Sequence, residues 1–314
     1  YSPATLIETV TPTRKVKTVD DLFNEYIAQL KNEGRLGYAL SVQQVHNSLL
    51  KFKGHLDVYF TEIDVNWLKA YESWLRCCKL EDNTIGIRFR TLRAVYNLAI
   101  TEGVVKADLY PFKKFKVSKL HKETAKRAIT KEQVKQVIEY DVSNARFYKR
   151  LAVDMFTFSY LMGGINFTDM AFLTDKNIEG GRLVYVRQKT KKLIMLPLQE
   201  KATSIMNRYC SPKCKYIFPI LDNRERMPRQ IRNRIYDVLA NVNGHLEDIG
   251  KELGIELKIS SYVARHSYAT VLKRAGVSTS VISESLGHSS ERVTQIYLDS
   301  FDNEQVDEAM KNLL

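Results

Sequence analysis

Long apolar runs are missing from this 314-residue chain. Nothing in it reads as a membrane-spanning helix, which needs about 20 consecutive apolar residues. The most apolar stretch, around Met155 to Ile165, is bounded by Asp154 and Asn166 and reads as a buried core helix. No signal peptide is visible, and an initiating methionine is missing, so the expectation is a cytoplasmic fragment with a segment upstream of it. Cysteine is scarce. Cys77 and Cys78 are adjacent, and Cys210 and Cys214 flank Pro212 without a second Cys or His pair beside them. That leaves no zinc set, and reduced thiols fit a cytosolic protein. A glycine-rich phosphate loop and a carboxylate cluster for magnesium are also absent, so neither a metal nor a cofactor is expected.

Acid is short relative to base. Lys and Arg outnumber Asp and Glu 48 to 36, a net charge of +12, which points to a polyanionic partner. Hydrophobic residues make up 44%, enough for a globular protein, and the length suggests about two domains.

Helical periodicity dominates the first third. Residues 1–15 lack it and read as a tail or linker. Thr18-Val19-Asp20-Asp21 is a capping box opening a helix with Leu22, Phe23, Tyr26, Ile27 and Leu30 on one face. Further helices are expected from about Ser41 to Phe52, after Asp64, and from Thr84 to about Glu102, with Gly103 as a stop. The last carries Arg88, Arg90 and Arg93, candidates for phosphate contact. Lys113, Lys114 and Lys116 sit in a basic, weakly periodic stretch. It reads as an interdomain linker over 111–127 that straps along phosphates.

Thr130-Lys131-Glu132-Gln133 is another capping box and opens the second domain. Two helices follow, then the turn Gly163-Gly164-Ile165-Asn166. Two β-rich runs, Arg182–Arg187 and Leu193–Leu196, flank Gln188-Lys189-Thr190-Lys191-Lys192 and predict a hairpin with a cationic tip. Helices resume near Leu198 and Pro228. The whole is mainly α with a small β-sheet.

Two late segments carry the chemistry. Tyr262-Val263-Ala264-Arg265-His266 places a cation on a helix. Leu286-Gly287-His288 then precedes Tyr297 by a short interval, with Gly287 able to stop one helix and Ser289 or Ser290 able to cap the next. Together they resemble the C-terminal boxes of the tyrosine recombinase (phage integrase) family. The closest likeness is to integrases of Bacteroides-type mobile elements.

The resemblance implies an N-terminal helical core-binding domain at 16–110 and an α+β catalytic domain at 128–314. It implies a metal-independent, site-specific recombinase that cuts and rejoins double-stranded DNA through a 3′-phosphotyrosyl bond, for integration or excision of a mobile element. Tyr297 matches the nucleophile, Arg265 the second family arginine, and His288 a donor to a phosphate oxygen. Lys189 matches the lysine that protonates the leaving 5′-oxygen, with Lys191 and Lys192 close enough in sequence to be confused with it. Four protomers would act through a Holliday junction in the bacterial nucleoid, with an accessory DNA-bending protein from host or element as a further partner. The segment Asp307–Leu314 would dock on a neighbouring protomer.

Two positions depart from the family. Tyr262 stands where a histidine is common and, with a pKa of about 10, is a poor proton acceptor at neutral pH. Asn166 stands in the place of the first family arginine, three residues before Asp169. Losing that cation would weaken transition-state stabilisation by a few kcal/mol. Arg187 is the first substitute, since period two puts it on one strand face with Lys189; Arg146 and Arg150 rank lower. A catalytically silent DNA-binding protein and a type IB topoisomerase-like relaxing enzyme are the alternatives.

Overall fold

The computed structural model describes residues 17–122, 127–224, 227–295 and 298. The chain divides into two compact units, 1–124 and 125–314. Tyr297, the 1–15 tail and the 307–314 segment lie outside the described residues.

Among the described residues the first unit contains α1 (Val19–Asn32), α2 (Leu36–Lys53), α3 (Val65–Cys77) and α4 (Asp82–Thr101). The Thr18 hydroxyl accepts from the Asp21 N–H, and the Asp21 carboxylate reaches back to the Thr18 N–H, which completes the capping box. Asp64 caps α3 through the Trp67 N–H. Gly103, at φ +72°, ends the α4 region. The apolar stripes meet in one core that includes Leu22, Phe23, Leu49, Tyr71 and Phe89.

The basic stretch after α4 differs from the expected linker. Phe112, Phe115, Val117 and Leu120 are buried in the core of the first unit, and the chain there runs in short 3-10 turns. The Asn83 amide holds both the N–H and the C=O of Lys122, at 3.0 and 2.8 Å, while Lys119 pairs with Glu72 at 2.7 Å. Phe112, Phe115, Val117 and Leu120 follow at intervals of three, two and three, which sustain neither a helical nor a strand period, so nothing in the sequence marks their burial. Lys113, Lys114 and Lys116 point to solvent between them.

The second unit contains α5 (Lys131–Ile138), α6 (Phe147–Leu161), α7 (Phe167–Ala171), β1 (Ile178–Glu179), β2 (Arg182–Val186) and β3 (Leu193–Pro197). After the strands come α8 (Glu200–Tyr209), α9 (Pro228–Glu252), α10 (Ser261–Arg274), α11 (Thr279–Ser285) and α12 (Glu291–Gln295). Thr130 and Gln133 form the anticipated capping box of α5. Helix α6 is the axis of this unit, packed by α9 and α10 and buried almost all round, as a helix without a polar face must be. Asp154 is not at the boundary of the apolar stretch but inside α6. It is buried, and accepts from Arg208 at 2.8 and 2.7 Å and from the Tyr209 hydroxyl at 2.7 Å. A buried carboxylate needs such partners.

The three strands form an antiparallel sheet in sequence order, with Tyr185 opposite Ile194 and Val186 opposite Leu193. Leu183, Tyr185 and Ile194 face the core.

Candidate active site

Helix α10 presents Arg265, whose side chain is 2% exposed. Its guanidinium is anchored on backbone carbonyls, Nη1 donating to Gly164 and Nη2 to Leu286, each at 2.6 Å. The Gly163-Gly164 turn makes this approach possible. Both glycines have positive φ, and a Cβ on Gly164 would lie 2.9 Å from Arg265 Cγ and 3.0 Å from its Cα.

His288 follows Gly287, which stands at φ +62° between α11 and α12. Arginine can only donate, so the 2.9 Å contact from Arg265 Nη2 makes Nε2 of His288 the acceptor. The ring's proton is then on Nδ1, where it donates to the buried Thr294 hydroxyl at 2.9 Å. Burial drives the His288 pKa from 6.5 down to about 3, helped by the cations of Arg265, Arg187, Lys189 and Lys192. The histidine is neutral at physiological pH. The family resemblance implies a donor to phosphate at this position; here Nε2 accepts from Arg265 instead.

The hairpin lies against the same turn. Arg187 is buried, and its Nη1 donates to the Gly287 carbonyl at 2.8 Å. Thr190 Oγ1 donates to that carbonyl at 3.1 Å, and Lys192 Nζ to the His288 carbonyl at 3.3 Å. Arg187 and Lys189 do not share a strand face, because β2 stops at Val186 and the chain turns. Arg187 N bonds Lys192 O at 2.9 Å, Lys191 N bonds Arg187 O at 2.8 Å, and Lys191 takes φ +55°. The turn buries Arg187 and exposes Lys189.

Asp169 sits beneath. It is buried, accepts from the Gln188 N–H at 2.9 Å and from the Asn166 amide, and its pKa is raised by burial against the pull of those donors, Arg187 and Arg265. Asn166, at the N-cap of α7, is therefore tied to Asp169. Tyr262 is in the first turn of α10, half exposed, its ring edge-on to His266 with centroids 4.7 Å apart. Arg150 is held elsewhere, on the Ala145 carbonyl at 3.4 Å.

The fold thus brings Arg265, His288, Arg187 and Lys189 around one turn, with Asn166 beside Asp169 and Tyr262 on the helix that carries Arg265. Thr190 and Thr294 join them unannounced, and so does Lys192, named from the sequence only as a rival for the acid. No residue pattern marks a threonine that will meet a carbonyl about a hundred residues away. In the first unit Arg90 and Arg93 are exposed, whereas Arg88 turns inward and donates to the Gln44 carbonyl at 3.1 Å, tying α4 to α2. Among the described residues no group of three or more His, Cys, Asp or Glu side chains could hold a metal ion. Among them also, no helix is long and apolar enough to cross a membrane.

Residues 18–117 match the phage integrase SAM-like domain and residues 127–304 the phage integrase family. The chain belongs to the phage integrase family. Within that class it is a tyrosine recombinase, an enzyme of DNA strand transesterification. The tyrosine recombinase XerC of Bacillus licheniformis is 23% identical over 299 residues, covering 90% of this chain and 91% of its own. A tyrosine recombinase of Thermosipho africanus is 22% identical over 310 residues, covering 93% and 99%. Among solved structures, the Tn1549 transposon integrase in complex with transposon right end DNA aligns with a TM-score of 0.67 at 15% identity. It covers 95% of this chain and 99% of that one. A lambda integrase tetramer bound to a Holliday junction aligns with a TM-score of 0.60 at 14% identity, covering 92% and 80%. At that identity the likeness is one of fold.

Proposed function

We propose that this tyrosine recombinase moves a mobile element, integrating or excising it by cutting and rejoining double-stranded DNA at specific sites. Tyr297 attacks the scissile phosphorus, forming a 3′-phosphotyrosyl bond as the bond to the 5′-oxygen breaks. The phenolic proton passes to solvent, and Lys189 gives one to the departing oxygen, so no net proton is consumed. Arg265, held rigidly by two carbonyls and His288, meets the charge that builds on the non-bridging oxygens. Among the described residues the Lys189 ammonium has no hydrogen-bond or ion-pair partner, whereas that of Lys192 is bonded to the His288 carbonyl. That difference favours Lys189 over Lys192 as the acid.

The observation that carries the reading is the gathering of Arg265, His288, Arg187 and Lys189 around the Leu286-Gly287-His288 turn. It also supports a substitute for the missing first arginine. Arg187 is buried beside that turn, close enough to depress the His288 pKa, and its Nε has no partner among the described residues. We assign it the place that Asn166 leaves empty of charge.

Arg90, Arg93, Lys113, Lys114 and Lys116 supply exposed cations for the DNA backbone. Four protomers would act on two sites through a Holliday junction, in the nucleoid, with an accessory bending protein. A joining assay tests this function. Two duplexes carrying the sequence selected by the protein from a random duplex library should yield recombinant products. Relaxation of supercoiled DNA without such products would favour the topoisomerase-like alternative.

A further inference from the structure

The residues at the tip of the hairpin are not equally bound. Arg187 and Thr190 both donate to the Gly287 carbonyl, at 2.8 and 3.1 Å, filling its two lone pairs. Lys192 reaches the next carbonyl, His288, at 3.3 Å. Gln188 is fixed through its N–H on Asp169 at 2.9 Å, and Lys191 closes the loop by its N–H on Arg187 O at 2.8 Å. Among the described residues Lys189 alone of these six makes no hydrogen bond, yet its charge is felt at His288.

We propose that Thr190 is a positioning residue for Lys189: its hydroxyl latches the hairpin onto the Gly287 carbonyl and so fixes where the lysine presents its proton. The inference rests on the reading of Lys189 as the leaving-group acid.

The geometry gives the latch its leverage. Thr190 directly follows Lys189, so release of its hydroxyl loosens the lysine between its remaining backbone anchors, the Gln188 N–H on Asp169 and the Lys191 N–H on Arg187 O. A flexible four-carbon stem must then search for the 5′-oxygen, and proton transfer is sensitive to such loss of placement. The partner side is stiff. A Cβ on Gly287 would lie 2.6 Å from Ile194 Cδ1 and 3.2 Å from Arg187 Cδ, so the carbonyl is presented by a closely packed backbone. A hydroxyl on a serine makes the same bond; the isosteric methyl of valine does not.

The test separates positioning of the acid from general damage. Once a covalent adduct has located the scissile bond in the selected duplex, two nicked substrates are made, one with the natural 5′-oxygen and one with sulfur in its place. Sulfur departs as a thiolate when the P–S bond breaks, carrying the electron pair and needing no proton. Single-turnover cleavage is then measured for the wild type, Thr190→Val, Thr190→Ser and Lys189→Ala in the full chain, at saturating protein.

Thr190→Val should cleave the oxygen substrate about 10- to 100-fold more slowly and the sulfur substrate at close to the wild-type rate, with Thr190→Ser near wild type on both. Lys189→Ala should likewise be restored by sulfur. Equal slowing of Thr190→Val on both substrates, with Lys189→Ala still rescued, overturns the latch alone. So does an unchanged rate on oxygen. Failure of sulfur to rescue Lys189→Ala overturns the acid assignment and the latch with it. Should Thr190→Val not fold, Thr190→Ala carries the same expectations.

Discussion

Arg265 and His288 share a hydrogen bond of 2.9 Å, and its direction decides the histidine's state. An imidazolium has no lone pair to accept from a guanidinium, so the contact exists only while His288 is neutral. Its pKa of about 3 agrees with that requirement.

A stability dependence on pH follows. Between pH 3 and 6.5 the unfolded chain holds a proton on His288 that the folded chain does not. Stability therefore rises with pH across that window, and is lost as pH falls below 6.5. Both tryptophans, Trp67 and Trp74, lie in the first unit, so hydrogen-exchange protection in α10 is the suitable readout. Protection should fall on acidification in the wild type and change less in His288→Gln.

Gly164→Ala should damage the site from behind. The position has φ +65°, and the new methyl would lie 2.9 to 3.2 Å from Arg265. We expect a loss of about 1 to 3 kcal/mol in stability from strain and overpacking. Cleavage should fall by far more than that destabilisation explains, because the arginine's anchor moves. Unfolding midpoints and single-turnover rates measured on one preparation check this; a destabilised variant with a normal rate would argue against the anchor.

Lys191 also takes a positive φ, +55°, but its side chain is exposed. Lys191→Gly should remove that strain and leave cleavage intact if Lys189 is the acid. A large drop in rate would shift the acid's role towards Lys191.

Arg187 makes a sharper case. Arg187→Ala should slow cleavage by about a hundredfold or more, the usual effect of deleting a transition-state donor. Adding Asn166→Arg to that variant should recover part of the rate if the two positions serve one phosphate oxygen. Single-turnover kinetics of the pair and both single variants decide it, and strict additivity would separate the roles.

Much of this was legible in the chain. The capping boxes at Thr18 and Thr130, the helix stop at Gly103 and the hairpin were local signals, and each depends on neighbours in sequence. The burial of Phe112 and Phe115 was not legible, because their partners lie on α4 and no period announces them. Within the site, Arg265 and His288 stood in motifs, while Thr190 and Thr294 acquire meaning only through long-range contact or a helical turn. Period two puts Arg187 on a strand face, which the structure replaces with a turn. It reaches the site because that turn folds it inward onto Gly287.

Tyr297 should become joined to DNA during the reaction, and covalent trapping detects that bond. The full chain is incubated with tiled nicked duplexes of the selected sequence, from which the short leaving strand diffuses after cleavage. Products of the wild type and Tyr297→Phe are then separated in SDS. A protein–DNA adduct formed by the wild type and absent from Tyr297→Phe, at equal DNA binding, is the predicted result. No adduct from a wild type that binds the duplex, or an adduct that survives in Tyr297→Phe, would contradict it.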